Sequence, residues 1–82
     1  MVTRNYTHKT DFDQALDLHV TEVVSDRKTE ARYYGFRSLD EAKAYADWWT
    51  DKWHFGYMGY ATAFTDPDGR FFVDTTRYNS CD

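Results

Sequence analysis

The side chains best able to perform chemistry in this chain are three histidines and one cysteine, and they are scattered. His8, His19 and His54 form no His-x-x-x-His pair and have no carboxylate at metal-ligand spacing. Cys81 would need a neighbouring positive charge to become a reactive thiolate, and the residues on either side of it carry none. The sequence therefore predicts no catalytic residues, no metal site and no cofactor, and we expect a noncatalytic protein.

One aromatic feature is suited to binding a protein. Trp48 lies outside the apolar side of a predicted helix, so it is either an exposed anchor or a ring packed at the domain edge. The polar side of the same helix carries Asp40, Asp47 and Asp51. These carboxylates would suit a partner with a basic surface, because complementary charge steers association.

A second feature is suited to nucleic acid. Arginines interleaved with aromatic rings on a strand can stack bases, as in proteins that bind single strands. The alternative is an ordinary strand with one ring directed inward and the next outward, and the net charge of −4 favours it. The residues of this candidate interface are Arg27, Lys28, Arg32, Tyr33, Tyr34 and Arg37.

The element that best positions these residues is a helix beginning after Ser38. Ser38 and Glu41 have the spacing of a capping box, in which each side chain satisfies a backbone amide of the other. Gly56 is suited to the left-handed residue that ends a helix. An apolar side faces the rest of the domain and comprises Leu39, Ala42, Tyr45, Ala46, Trp49 and Trp53.

The second well-defined element is a hairpin around the turn Asp66-Pro67-Asp68-Gly69. Counting outward pairs Phe64 with Phe72, Thr62 with Asp74, Tyr60 with Thr76 and Met58 with Tyr78. One face then consists mainly of small side chains, including Gly59, Ala61, Ala63 and Val73, on which the helix can pack. The other face has the larger side chains Met58, Tyr60, Phe64, Phe72 and Tyr78, and we expect it to be partly open.

The sequence pattern of the N-terminal half predicts two further strands. Residues 1–10 are interpreted either as a flexible arm or as an edge strand. Residues 11–25 have the spacing of an amphipathic helix and also the alternation of a strand, and a turn or short helix over residues 11–16 followed by a strand over residues 17–25 is compatible with both patterns. Residues 30–37 predict a second strand. The fold class is therefore α+β: a single domain over residues 1–82, with a four-stranded, mainly antiparallel sheet in ββαββ order and one amphipathic helix on one face.

Composition narrows the cellular compartments in which the protein is expected. The chain is acidic and rich in aromatic residues, has one cysteine, and contains no apolar run long enough to span a membrane. No hydrophobic signal segment opens the sequence. We therefore expect a cytoplasmic protein with no membrane partner.

The helix entry Phe36-Arg-Ser-Leu-Asp-Glu-Ala-Lys-Ala-Tyr-Ala and the Asp66-Pro-Asp-Gly hairpin lie in a short, acidic α+β chain. In size and element order this resembles small phage and mobile-element anti-defence inhibitors of the anti-CRISPR type. The resemblance implies a protein in the host-cell cytoplasm that inhibits or modulates a larger protein or ribonucleoprotein complex by occupying its surface. It assigns no site residue.

Three hypotheses remain at this point. The preferred one is a noncatalytic inhibitor or modulator that binds through Trp48, Asp40, Asp47 and Asp51, together with Tyr60, Phe64, Phe72 and Tyr78 of the aromatic sheet face. The second is a small module that binds single-stranded nucleic acid through the arginine-rich strand. The third is a subunit of a homo-oligomeric ligand-binding protein or enzyme; a symmetric homodimer would also cover an open aromatic face.

Overall fold

The computed structural model describes residues 2–9 and 17–78, which form one helix and a five-stranded antiparallel sheet. The strands are β1 (Val2–Lys9), β2 (Asp17–Val24), β3 (Lys28–Phe36), β4 (Tyr60–Thr65) and β5 (Phe71–Tyr78), and the helix is α1 (Leu39–Tyr57). The sheet order is β1-β2-β3-β5-β4. The predicted α+β class is therefore confirmed.

The predicted number of four strands is wrong, because β1 is a fifth strand at the edge of the sheet. It pairs with β2 over its whole length, and all eight of its residues are exposed. A strand of this kind has no alternation of apolar and polar residues, so the sequence pattern does not distinguish it from a flexible arm. The strand predicted over residues 17–25 is present as β2, whereas the turn or helix predicted over residues 11–16 lies outside the described residues.

The helix begins as the capping pattern predicts. The Ser38 hydroxyl accepts a hydrogen bond from the Glu41 amide at 3.1 Å. The Glu41 carboxylate reaches one residue further back than a simple capping box requires and accepts from the Arg37 amide at 2.9 Å. Hydrogen bonds from Arg37 hold the pKa of Glu41 below its usual value. The start of α1 is therefore fixed by the residues that immediately precede it.

The end of the helix differs from the prediction in its last residue. Gly56 has the expected positive φ of 84°, but α1 continues to Tyr57 and its C-cap is Met58, at φ 50°. The Gly59 amide then donates to the Trp53 carbonyl at 2.9 Å. A Cβ on Gly59 would lie 2.5 Å from Trp53 Cβ, so this position requires glycine for the close approach of β4 to the helix.

The β4–β5 hairpin has the predicted register at three of its four expected pairs: Phe64 with Phe72, Thr62 with Asp74, and Tyr60 with Thr76. The fourth pair is wrong. Met58 belongs to the helix cap, and β4 begins only at Tyr60.

The core lies between α1 and one face of the sheet. Its centre is a cluster of buried side chains around Tyr45, which contacts Tyr33 and Phe36 with ring centroids 5.6 and 5.2 Å apart. Ala61 and Ala63 supply the shallow floor expected beneath the helix. Between Tyr34 and Phe36 the β3–β5 register shifts, which places Phe36 on the helix side of the sheet. Among the described residues, no helix lies on the opposite side of the sheet, which is called the open face below.

Candidate binding surfaces

The open face carries a group of aromatic rings on β3, β4 and β5, which we call the aromatic patch. Phe72 is at its centre. The Phe64 ring stacks on it with a centroid separation of 5.3 Å and an interplanar angle of 24°, and the Tyr34 ring lies 5.3 Å away on the neighbouring strand. The patch comprises Tyr34, Tyr60, Phe64, Phe72 and Tyr78.

Exposure differs sharply among these rings. Tyr60, Phe64 and Tyr78 have 58%, 42% and 46% of their surface exposed, as expected for rings on an uncovered face. Phe72 is only 8% exposed, so the structure removes it from the set of residues that a partner could contact extensively. It is covered by its two neighbouring rings and by the Arg32 guanidinium, which lies 4.3 Å from the ring centroid.

The charged side chains beside the aromatic patch are paired with one another. Arg32 forms a two-pronged ion pair with Asp74, at 2.7 and 3.0 Å, which raises the pKa of Arg32. Lys28 pairs with Glu30 at 3.1 Å. The open face therefore presents rings and balanced charge rather than an excess of either sign.

The residues predicted to bind nucleic acid are divided by the structure. Lys28, Arg32 and Tyr34 lie on the open face, whereas Tyr33 is 9% exposed and belongs to the core on the helix side. The cause is the alternation of side chains along β3, which is the ordinary-strand alternative. Arg37 lies before the helix and pairs with Glu41 at 2.7 Å.

Arg27 is exposed in the turn between β2 and β3. Of the predicted set, Tyr34 belongs to the aromatic patch, and Lys28 and Arg32 lie beside it with their charges paired to Glu30 and Asp74.

The acidic residues predicted on α1 lie together. Asp40, Asp47 and Asp51 are exposed on the side of the helix that faces away from the sheet. Within residues 2–9 and 17–78, no ion pair includes any of the three. Their three negative charges are therefore not offset by an ion pair within the described ranges.

Trp48 does not belong to this acidic surface. It is half-buried, its ring lies 5.5 Å from the Tyr45 ring, and the Lys52 ammonium lies 5.1 Å from its centroid. This is the packed-edge arrangement that the sequence left open as the alternative to an exposed anchor.

No sequence pattern indicates a cleft of about 220 Å³ between α1 and the helix side of β1, β2, β3 and β5. The residues that line it are far apart in the chain, and only the sheet order β1-β2-β3-β5 brings them together. The helix contributes Tyr45, Trp48, Trp49, Lys52 and Trp53, and the sheet contributes His8, Glu22, Thr29, Ala31, Tyr33, Thr75 and Arg77.

On β1, His8 lines the cleft, and two other side chains of this strand contact the Glu22 carboxylate. Arg4 forms an ion pair with Glu22, and the Tyr6 hydroxyl donates to the other carboxylate oxygen of Glu22 at 3.3 Å. Partial burial, together with the nearby carboxylate, raises the pKa of Tyr6 to about 12. Tyr6 therefore stays protonated and able to donate over the physiological range.

Within the part of the chain that the structure describes, no three His, Cys, Asp or Glu side chains are grouped so that they could hold a metal ion. The one helix in the described ranges is too polar to cross a membrane. Compared with known proteins, the chain matches no family model, no curated protein and no solved structure.

Proposed function

We propose that this protein is a noncatalytic binding protein whose open sheet face occupies a surface of a larger protein. The observation that carries the proposal is the aromatic patch. Tyr60, Phe64 and Tyr78 are about half exposed on a face that no helix within residues 2–9 and 17–78 covers. Large exposed apolar patches mark interaction sites, and Tyr is enriched among the residues that dominate binding energy.

The charge pattern supports a protein rather than a phosphate backbone as the partner. A nucleic-acid interface requires unpaired cations, because its affinity comes mainly from neutralised phosphates. On the open face, Arg32 and Lys28 are each paired with an acidic side chain. Aromatic residues and arginine are enriched at protein interfaces.

The acidic side of α1 has a separate part in the proposal. It lies on the opposite side of the molecule from the aromatic patch, so a flat partner could not contact both. Asp40, Asp47 and Asp51 instead contribute a field that orients and accelerates approach to a basic surface. A groove with basic walls could contact both sides at once.

The inhibitory part of the proposal is supported by the resemblance in size and element order to compact anti-defence proteins. Such a chain would act by blocking a surface that its target needs, so it would require neither a cofactor nor an active site. The target we propose is a protein or ribonucleoprotein complex with a basic surface.

Binding to single-stranded nucleic acid is a second candidate, favoured by one observation. The Arg32 and Arg70 guanidinium groups lie 4.3 and 5.0 Å from the Phe72 and Tyr34 rings. Arginine stacked on aromatic rings can also receive a base. This function predicts affinity for oligonucleotides that falls steeply as salt rises.

The test is capture of partners from the native lysate by the tagged full-length chain, with and without nuclease. The proposal predicts a stoichiometric protein partner that survives nuclease and is lost in Tyr60→Ser/Phe64→Ser. The matched control is Thr3→Ala/Thr7→Ala, which changes the same sheet face at β1, away from the aromatic patch. This control should retain the partner.

Three outcomes would overturn the proposal. Recovery of nucleic acid alone, or of partners that disappear with nuclease, would establish the second candidate. Recovery of only the chain itself, together with a dimer in solution, would show that a second copy covers the patch. Full retention of the protein partner by Tyr60→Ser/Phe64→Ser would show that binding occurs elsewhere.

A further inference from the structure

The two edges of the sheet, β1 and β4, are protected to different extents. β4 is six residues long and packs against α1, and its Ala61 amide donates to the Thr50 hydroxyl of the helix at 2.9 Å. β1 is eight residues long and every one of them is exposed, because α1 packs on β3, β4 and β5. Within the described ranges, the helix therefore covers one edge of the sheet and leaves the other uncovered.

β1 also lacks most of the features that prevent an edge strand from pairing with another chain. Prolines, bulges and short strands usually serve this purpose. From Val2 to Lys9 the strand has no proline, and its pairing with β2 continues without a register shift. Alternate residues of an edge strand direct their amide and carbonyl groups outward, so β1 can form hydrogen bonds with one further strand.

Symmetry limits how β1 can pair with β1 of a second copy. An antiparallel pair is related by a two-fold axis perpendicular to the sheet, and opposite residues lie on the same face. Each side chain must therefore face a side chain from the same row of the other copy. The helix-side row is Val2, Arg4, Tyr6 and His8, and the open-face row is Thr3, Asn5, Thr7 and Lys9.

One of the allowed registers gives complementary pairs along the strand. It places Asn5 opposite Asn5 of the second copy and Thr3 opposite Thr7. It also places Arg4 opposite the Tyr6 ring, once on each side of the axis. Cross-strand threonine pairs and a cation beside an aromatic ring are both favourable.

The neighbouring registers are less favourable because of charge. A shift in one direction places Arg4 opposite Arg4 of the second copy, and like charges directly opposite each other are destabilising. A shift in the other direction places Arg4 opposite His8, which repels it whenever the imidazole is protonated. The charges of β1 therefore favour a single register with a second copy.

We propose that the uncovered edge of β1 pairs with β1 of a second copy, in the register centred on Asn5, and joins the two sheets into one. The two-fold axis places both helices on one side of the joined sheet and both open faces on the other. The aromatic patches remain uncovered, and the dimer presents two of them on the same side. The inference does not depend on the proposed protein-binding function, because no residue of β1 belongs to the aromatic patch.

The first measurement is sedimentation velocity of the purified full-length chain at increasing concentration. We expect a reversible monomer–dimer equilibrium with a Kd in the micromolar range, because one added strand pair is smaller than a standard protein interface. Tyr60→Ser/Phe64→Ser should leave this Kd unchanged. A chain that stays monomeric at millimolar concentration overturns the proposal. Loss of the dimer in Tyr60→Ser/Phe64→Ser would also overturn it, by showing that the aromatic patch is the dimer interface.

Two charge variants test the register. Thr3→Glu/Thr7→Glu places carboxylates opposite each other at two positions, so it should raise the Kd about tenfold. Thr3→Glu/Thr7→Lys changes the same exposed positions but places opposite charges together, so its Kd should be no higher than that of the native chain. Salt of about 0.15 M screens the difference in net charge between the variants. Equal Kd values for the two variants would contradict the register.

A disulfide provides the most specific test, in a Cys81→Ser background that removes the native thiol. Asn5→Cys should give a covalent dimer on mild oxidation, because opposite Cα atoms in an antiparallel pair lie about 4.5–5.5 Å apart, within the range of a disulfide. Thr3→Cys is the matched control, since its counterpart in the second copy lies about 13 Å further along the strand. Equal cross-linking of the two variants would overturn the proposal.

Failure of the β1 dimer and failure of the protein-binding proposal are distinguishable. A chain that is monomeric in sedimentation still captures a protein partner if the aromatic patch binds one, because one copy carries a complete patch. A chain that forms the β1 dimer but captures no protein would leave the dimer established and contradict the proposed function.

Discussion

The two faces of the sheet are built from the same strands, but they use aromatic residues in opposite ways. On the helix side, Tyr45 is 1% exposed and contacts rings from β3 and from its own helix. On the open face, Tyr60 is uncovered. The helix-side rings supply buried surface that a small domain needs to fold, whereas Tyr60 keeps more than half of its surface exposed.

The buried ring of the open face is covered by side chains of the sheet itself, whereas the core rings are covered by the helix. Phe72 is covered by two rings and by the Arg32 guanidinium rather than by a helix. Arg32 is held in place by Asp74 on the next strand. The exposed rings of the aromatic patch therefore lie beside side chains that are already held in place, namely Phe72, Arg32 and Asp74. A partner would not have to order those side chains on binding.

The strongest test of this comparison removes one tyrosine from each face. Tyr45→Ala should lower the free energy of unfolding by about 4 kcal/mol, because it leaves a large cavity in the core. Tyr60→Ala should change it by less than about 0.5 kcal/mol, since an exposed ring loses little on truncation. Urea unfolding followed by circular dichroism measures both. Similar losses in the two variants would contradict the division of roles.

A second test concerns how closely the helix side is packed. Gly59→Ala should destabilise by about 2 kcal/mol, because the added Cβ would meet Trp53 Cβ at 2.5 Å. Gly69→Ala is the matched control in the hairpin turn, where a Cβ meets nothing within 4 Å and only the positive φ of 81° is costly, by about 1 kcal/mol. Thermal unfolding of the two variants should rank them in that order. A smaller effect at Gly59 would mean that β4 is free to move away from the helix.

The smallest expected effect is a pH dependence at the start of α1. Hydrogen bonds from Arg37 lower the pKa of Glu41 below its usual 4.5 in the folded chain. Glu41 therefore adds stability above pH 4.5, and that contribution is lost as the pH falls through the lower folded value.

Glu41→Gln should remove this part of the acid sensitivity, and Arg37→Gln should reduce it by removing the partner. Urea midpoints at neutral and acidic pH provide the measurement. An unchanged acid sensitivity in both variants would show that the interaction does not hold the helix start.

The elements that could be predicted from the sequence are those fixed by local chemistry. The capping residues Ser38 and Glu41 placed the helix start, and the Asp66-to-Gly69 turn gave the hairpin register and so the two faces of β4 and β5. The sequence could not decide whether residues 1–10 form an edge strand or a flexible arm, because the exposed residues of β1 have no periodic pattern and its place depends on pairing with β2.

The candidate sites, too, could be predicted only where local sequence patterns determine the structure. Tyr60, Phe64 and Tyr78 were predicted from the hairpin register alone and are exposed, whereas the burial of Phe72 depends on Arg32, a residue 40 positions away in sequence. The cleft depends on neighbours that only the sheet order defines. Contacts of this kind carry no local sequence signal.

The most direct test of binding through the open face is oxidative footprinting of the chain, free and bound to its captured partner. If the open face is the binding surface, Tyr60, Phe64 and Tyr78 become protected in the complex, while Tyr45 is protected in both states. Unchanged reactivity at Tyr60 and Phe64, with protection confined to the helix between Asp40 and Asp51, would contradict the assignment of the open face as the binding surface.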